Sequence, residues 1–241
     1  MELEILIVQT GSTYPEVVNA AGDYDRWFLT ALNAKNLVVT VVDSLVDQLP
    51  EPGLFDAMIL TGSSCSATEM NPLLDAFCEW IRRLADADVP TLGVCFGHQI
   101  MAKAFGGCVQ RHAMGRQFGT VVVTATDAGR RDFLFNDLDE TFDVHSCHED
   151  VCTQLPENAT LLARSPKTIN QSFAIGEFLR AVQFHPEAST SIISQLHDSL
   201  VARGQLARRE PGFQSAAAES IGKRILANFI QFAMQTRHHA H

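Results

Sequence analysis

Four short apolar runs in the first 105 residues constrain the fold of this 241-residue chain more than any other feature. Stretches with apolar residues at helical spacing follow the first, third and fourth of these runs. A strand followed repeatedly by a helix is typical of a doubly wound α/β sheet with right-handed crossovers. The predicted strands are Leu3–Gln9, Leu37–Val42, Ala57–Thr61 and Thr91–Val94, and the predicted helices begin at Asp23 or span Pro72–Leu84 and Gly97–Phe105.

The sequence pattern changes after Gly107, where short strand-like runs follow one another with few helical stretches between them. They predict strands that extend the sheet or fold back as hairpins. We therefore expect an α/β fold, a single-domain three-layer sandwich over residues 1–241 with a mostly parallel central sheet and extra antiparallel strands in the second half. The core covers about 3–187, C-terminal helices lie within 189–236, and Gly11–Gly22 is predicted to be a loop. The later runs are Thr120–Thr126, Thr141–His145, Thr160–Ala163, Gln171–Ile175 and Leu179–Phe184, followed by helices at Ser189–Arg203 and Ser215–Gln235.

Composition and charge argue against several classes of function. A net charge of −10 disfavours general binding to nucleic acids or to anionic membranes. The opening MELEILIVQTG has no signal-peptide pattern, and its apolar run is too short to span a membrane. The six scattered cysteines do not resemble a disulfide scaffold. We therefore expect a cytoplasmic protein with free thiols that binds neither membranes nor nucleic acids.

Cys95 stands between two glycines in TLGVCFGHQIM, residues 91–101, directly after the fourth predicted strand. G-x-C-x-G between a strand and a helix is the cysteine form of the nucleophile elbow, in which a sharp turn projects a reactive side chain. The helix dipole favours the thiolate there, and the Phe96 amide points to where an oxyanion would form. Most free cysteines only fill core space, so this turn alone leaves both a structural and a catalytic role open.

A candidate partner for Cys95 lies in LRAVQFHPE, residues 179–187. Because positions i and i+2 of an extended chain point to the same side, Glu187 can accept a hydrogen bond from one ring nitrogen of His185. The other nitrogen can then face a thiol, which makes the imidazole a general base. His-x-Glu at a strand end is more often a surface feature, but with the Cys95 turn it completes a candidate catalytic triad.

PTLGVCFGHQ at 90–99 and VQFHPE at 182–187 together resemble the class I glutamine amidotransferase family, in particular stand-alone members similar to the amidotransferase domain of GMP synthetase. The segments LTGSSCSATE at 60–69, GRQFGT at 115–120 and HEDVCTQLP at 148–156 extend the likeness over most of residues 3–187. The resemblance implies hydrolysis of the side-chain amide of glutamine through a γ-glutamyl thioester on Cys95.

The resemblance also implies roles for the residues around Cys95. His185 would protonate the departing ammonia, and Glu187 would orient His185. The oxyanion would rest on the amide of Phe96 and on one from the turn formed by Gly62 and Ser63.

Further positions correspond to the substrate site of the family. Gln99 matches a glutamine that helps to hold the substrate, and the segment containing His148 lies where the family contacts the amino-acid end of glutamine. Two positions depart from the pattern. Ser63 and Ser64 replace Gly-Pro, so we expect an oxyanion hole that needs a partner if Ser63 cannot adopt the backbone conformation of glycine. Gln117 replaces a frequent glutamate, with an expected effect on a surface contact or the pocket rim.

A metal site is disfavoured, although HSCHEDVC at 145–152 brings two histidines and two cysteines close together. On a strand, His148 faces away from His145 and Cys147, which does not suit a closed tetrahedral site. The sequence contains no Walker phosphate loop, no dinucleotide-binding fingerprint and no Ser-Gly-Gly-x-Asp-Ser loop such as the synthetase half of GMP synthetase uses to hold ATP. We therefore expect no metal and no cofactor.

Three hypotheses for function follow. The first is a glutamine amidotransferase whose ammonia serves a separate ATP-dependent synthetase subunit. The second is a stand-alone γ-glutamyl peptidase that uses the same triad on larger γ-linked amides. A non-catalytic regulatory module is the third, and the presence of Cys95, His185 and Glu187 argues against it. The acceptor and the oligomeric state do not follow from the sequence.

Overall fold

The computed structural model describes residues 2–32, 36–69, 72–207 and 213–237, and within them strands and helices alternate along the first half of the chain. The strands are β1 (Leu3–Gln9), β2 (Leu37–Asp43), β3 (Ala57–Leu60), β4 (Thr91–Val94), β5 (Cys108–Arg111), β6 (Gln117–Ala125), β7 (Thr141–His148), β8 (Asp150–Gln154), β9 (Ala159–Arg164), β10 (Ser172–Ile175) and β11 (Leu179–Val182). The α-helices are α1 (Pro15–Ala21), α2 (Tyr24–Leu32), α3 (Pro72–Asp86), α4 (Phe96–Ala104), α5 (Thr190–Ala202) and α6 (Ala216–Arg237).

Nine of these strands form one central sheet in the order β2-β1-β3-β4-β11-β10-β9-β6-β7. The five strands from β2 to β11 run parallel. The remaining four continue the sheet in antiparallel pairs, and β5 and β8 form a separate two-stranded antiparallel sheet. The predicted α/β fold, with a mostly parallel sheet and antiparallel strands added in the second half, is confirmed.

Helices cover both faces of the sheet because its inner strands present apolar side chains on both sides. Along β1, Ile5 and Ile7 enter one hydrophobic core, while Leu6 and Val8 enter the core on the opposite face. Helices α2 and α6 close the first core and α3 and α4 close the second, which gives the three expected layers. The prediction that residues 1–241 form one domain stays a prediction.

The predicted loop Gly11–Gly22 is wrong in its second half, where Pro15–Ala21 forms α1. Proline suits the first turn of a helix because its fixed φ matches the helical value and its missing N–H leaves no donor unpaired. Val17 is the buried residue of this helix and packs in a small third core with Trp27. A single buried side chain in two turns leaves no helical periodicity in the sequence.

The short strands β5 and β8 were not predicted either. Both are partly exposed. Each pairs with the other, and their first residues, Cys108 and Asp150, are 42 positions apart in the chain. Residues 208–212, between the last two predicted helices, lie outside the described residues. No helix in the described part of the chain is long and apolar enough to cross a membrane.

Three parallel strands bring the predicted site residues to one edge of the sheet. Strand β4 lies between β3 and β11, and all three point the same way. Their carboxyl ends lead directly into Gly62, Cys95 and His185. Ligands of open α/β sheets bind at this edge, so the topology itself places these residues in a suitable location.

A buried ion pair anchors β11, the strand that leads to His185. Arg180 Nε donates to both carboxylate oxygens of Asp132, at 3.0 and 2.8 Å, and the two side chains are each 8% exposed. We expect Asp132→Ala to lower the free energy of unfolding by about 3–5 kcal/mol, because it leaves the Arg180 charge buried without its partner. Urea denaturation of the variant would measure this loss.

The matched control is Asp127→Ala, which breaks the exposed pair that Asp127 forms with Arg130. An exposed pair contributes at most about 1 kcal/mol, so this variant should unfold close to the wild type. Equal losses in the two variants would contradict the role given to the buried pair.

Candidate active site

Cys95 occupies a sharp turn between β4 and α4, with φ 51° and ψ −98°. A positive φ is rare outside glycine and costs of order 1–3 kcal/mol. Hydrogen bonds hold the turn: the Cys95 N–H donates to Val182 O at 2.9 Å, and the Gly97 N–H donates to Thr61 O at 3.1 Å. A Cβ at Gly97 would lie 2.5 Å from the Leu60 carbonyl oxygen, so only glycine lets α4 begin here. The predicted strained turn is present, and a cysteine that merely filled space would not need it.

The Cys95 side chain lies at the N-terminus of α4, beside the backbone of β7. Its sulfur is 3.8 Å from Cys147 O, and the residue is 5% exposed. Phe96 is the first helical residue, so its amide N–H has no acceptor within the helix. That N–H can therefore bind an oxygen held next to the sulfur.

His185 lies at the end of the neighbouring strand and is buried together with Glu187. His185 Nδ1 is 2.7 Å from Glu187 Oε1, as the i, i+2 spacing predicted. Burial alone lowers the pKa of His185, but the negative charges of Glu187 and Cys95, and hydrogen bonds to both, raise this pKa well above its ordinary value. The arrangement therefore favours the protonated form of His185.

The loop after β3 forms the wall opposite Cys95. A Cβ at Gly62 would lie 2.9 Å from the Tyr24 ring and 3.0 Å from the His185 ring, so a side chain cannot fit there. Ser63 keeps an ordinary negative φ, and its N–H has no acceptor among the described residues. Its side chain fits because Gly11, across the loop, has no Cβ, which would overlap Ser63 Oγ. Ser63 is thus accommodated without the left-handed conformation that glycine would allow.

Gln99 and His148 both line the cleft, but their side chains are held by the protein. Gln99 Nε2 donates to Asp150 O at 2.9 Å and to Gln183 Oε1 at 3.2 Å. His148 Nδ1 lies 3.0 Å from the same Asp150 O. Burial lowers the pKa of His148 to about 3, so it stays neutral.

Gln117 is not on the surface or the pocket rim, and this expectation is wrong. The residue is buried beneath the cleft, where its Oε1 accepts a hydrogen bond from the Thr168 hydroxyl at 2.8 Å. The same oxygen lies 3.1 Å from His148 Nε2. Gln117 is a polar residue at the start of β6, and nothing in the sequence marks it as lying on the buried side of the strand.

Cys95, Ser63, Gln99 and His148 line an open cleft, whose volume of about 560 Å³ includes space open to solvent. Most of its lining residues were not predicted as site residues, among them Tyr14, Tyr24 and Arg116. The Tyr24 ring stacks on His185 with centroids 6.1 Å apart. The Arg116 side chain is 15% exposed, and its Nη2 donates to Glu149 Oε2 at 3.0 Å. Tyr14 directly precedes α1, Tyr24 begins α2 and Arg116 directly precedes β6, so only the folded chain brings them together.

Cys147 is the second thiol of the cleft. Burial raises its pKa, and the nearby charges of Arg116 and His185 do not reverse this effect. Cys147 lies on a regular strand, whereas Cys95 occupies the strained turn that leads into a helix. Of the two, Cys95 has the geometry of a nucleophile. Across the described ranges, no group of three or more His, Cys, Asp or Glu side chains could hold a metal ion.

The His185–Glu187 contact predicts a change in titration. Glu187→Gln removes an anion that raises the pKa of His185, so this pKa should fall towards or below its ordinary value. At a pH between the two midpoints, the wild type would hold an imidazolium and the variant a neutral ring. NMR of the ring protons, assigned with His185→Ala, measures both midpoints.

Glu149→Gln is the control, because it removes a cleft carboxylate that makes no contact with His185. Its midpoint should match the wild type. An unchanged midpoint in Glu187→Gln would contradict the electrostatic account.

Comparison with known proteins agrees with this geometry. Residues 16–197 match the family described as glutamine amidotransferase class-I. Gamma-glutamyl peptidase 4 of Arabidopsis thaliana is 26% identical over 199 residues, 79% of each chain. A glutamine-hydrolyzing GMP synthase of Cytophaga hutchinsonii is 28% identical over 195 residues, which make up 80% of this chain and 34% of the synthase. The structure of a glutamine amidotransferase from Thermotoga maritima superposes with a TM-score of 0.77 at 22% identity, covering 98% of this chain and 99% of that one. Because the family match spans most of its length, the chain belongs to the class I glutamine amidotransferases.

Proposed function

We propose that this chain hydrolyses a γ-glutamyl amide through a thioester on Cys95, with His185 and Glu187 completing the triad. One observation carries the proposal: the strained Cys95 turn and the 2.7 Å His185–Glu187 hydrogen bond follow adjacent parallel strands. Membership in a family that generally hydrolyses amides supports it.

In the first half of the reaction, the Cys95 thiolate attacks the amide carbon. The carbonyl oxygen becomes an oxyanion, which the N–H groups of Phe96 and Ser63 stabilise. The C–N bond breaks as His185 gives its proton to the leaving nitrogen.

In the second half, the neutral His185 takes a proton from water as the water oxygen attacks the thioester. The C–S bond breaks, which restores the thiolate and the imidazolium and releases glutamate as its γ-carboxylic acid, which then gives its proton to solvent. Glu187 holds one His185 nitrogen throughout, so the other remains the site of proton transfer.

The amino-acid end of the substrate binds beside Gln99 and His148 in this proposal. Arg116 and Glu149 add opposite charges that match the α-carboxylate and the α-ammonium group of a γ-glutamyl compound. Both side chains line the cleft that contains Cys95.

Two leaving groups fit this chemistry. Ammonia released in the cytoplasm for a separate ATP-dependent synthetase is the first, and the alignment of this chain with about a third of a GMP synthase supports it. An amine from a γ-glutamyl peptide is the second. The coverage of 79% on both chains in the match to Gamma-glutamyl peptidase 4 favours that alternative.

Parallel assays of the purified chain with glutamine and with γ-glutamyl dipeptides separate the two functions. Glutamine turnover that rises when a co-purifying synthetase is present supports ammonia supply. Peptide cleavage without glutamine turnover supports the peptidase and rules out the first function.

Cys95→Ala should abolish covalent labelling by a diazoketone analogue of glutamine, because the nucleophilic sulfur is gone. Mass spectrometry of the intact protein would measure the adduct, and circular dichroism would show that the variant is folded. Cys147→Ala, which removes the neighbouring thiol, should keep the label. Labelling of Cys95→Ala at the rate of the wild type would contradict the assignment of the nucleophile.

Arg116→Gln should raise KM for glutamine roughly tenfold or more with little change in kcat, since a hydrogen bond between charged groups contributes about 1.5–3 kcal/mol. A glutamine analogue without the α-carboxylate should be insensitive to the substitution. Arg111→Gln is the control: Arg111 contacts the same Glu149 but is 65% exposed, so its effect should be smaller. Equal losses with and without the α-carboxylate would refute the contact.

A further inference from the structure

His145 lies on β7, directly behind the four-residue corner His185–Ala188, and it is 1% exposed. It contacts the corner at both ends. The His185 N–H donates to His145 O at 2.8 Å, and His145 Nδ1 lies 2.9 Å from Ala188 O. The Ser215 N–H, just before α6, donates to His145 Nε2 at 3.2 Å.

These contacts allow one protonation state of the ring. Nε2 faces a backbone N–H and must therefore carry a lone pair. Nδ1 faces a carbonyl oxygen and must therefore carry the proton. His145 is thus a neutral imidazole in a fixed tautomer, in agreement with the effect of burial, which lowers its pKa.

Apart from the stacking of Tyr24 on the His185 ring, the described residues give the corner few other restraints. The Ala188 N–H donates to His185 O at a long 3.3 Å. On the other side, α6 packs closely enough that a Cβ at Gly222 would overlap Pro186 O. Glu187 holds the ring through Oε1, but its Oε2 has no hydrogen-bond partner within the described chain. The Glu187 carboxylate therefore has no hydrogen bond to a described residue outside the corner that would hold the corner in place.

We propose that His145 is a positioning residue that fixes the His185–Ala188 corner through its Nδ1–H bond to Ala188 O. This inference rests on the proposed function, because it concerns how His185 is held against Cys95. The Ser215 contact sets the tautomer and leaves the proton on the nitrogen that the corner requires. The sequence presents His145 only as one member of a disfavoured metal cluster, and its partners are 43 and 70 residues away.

Two substitutions separate the two ring nitrogens. The side-chain amide of asparagine reaches the place of Nδ1, so His145→Asn can still donate to Ala188 O. The amide of glutamine reaches the place of Nε2, so His145→Gln can accept from Ser215 but loses the Ala188 bond. Both remove one buried hydrogen bond, so both should lower thermal stability to a similar extent.

We expect His145→Gln to lower kcat roughly tenfold or more with KM unchanged, since a small displacement of a catalytic group is costly. His145→Asn should keep most of the wild-type kcat. In parallel, the rate at which iodoacetamide alkylates Cys95 should be measured across pH. The alkylation rate should be lower in His145→Gln, because a displaced His185 no longer faces the sulfur, while His145→Asn should follow the wild type.

Equal kcat losses in the two variants, or a loss found only in KM, would overturn the inference and leave His145 as a structural residue. Failure of the proposed function looks different. In that case the wild type itself would hydrolyse neither glutamine nor γ-glutamyl peptides, whereas iodoacetamide, which needs no substrate site, would still report on the coupling between His185 and Cys95.

Discussion

The first turn of α4 lies against the carbonyl end of β3, and the rest of the site is arranged around this contact. The backbone of Gly97 touches Leu60 O, and its N–H bonds Thr61 O. This leaves Cys95 with a positive φ, a strain that hydrogen bonds from the two flanking strands offset. Because the same two strands lead into Ser63 and His185, one packing contact sets the relative positions of the loop at Gly62 and Ser63, the Cys95 sulfur and the His185 ring.

Burial and nearby charges shift the pKa of His185 in opposite directions. Desolvation alone would make His185 a neutral ring, as it does for His148, which lies close by and lacks a carboxylate partner. Glu187 changes the outcome for His185 because it is buried with it and accepts a short hydrogen bond. The two neighbouring histidines are therefore held in different protonation states, and only His185 has a pKa raised above its ordinary value.

Much of this frame was predictable from the sequence, because inner strands of a parallel sheet are continuous apolar runs and the Cys95 turn is a local pattern. Leu3–Gln9 and Thr91–Val94 have the predicted bounds, and the His185–Glu187 bond follows from a two-residue spacing. Helix α1 was not predictable because it buries one side chain. The contacts of Arg116 and of His145 join residues that are far apart in the chain. These contacts form only when β6, β7 and the His185–Ala188 corner pack together, so the sequence does not reveal them.

The space that Gly11 leaves for Ser63 has a consequence for how such chains diverge. The two positions are 52 residues apart, yet a side chain at one excludes the hydroxyl at the other. A loop with glycine at position 63 would free position 11 to accept alanine or serine, provided the backbone there relaxed from its φ of 149°. Substitutions at positions 11 and 63 should therefore occur together. A loop transplanted from another family member would also need a compatible residue at position 11, just after β1.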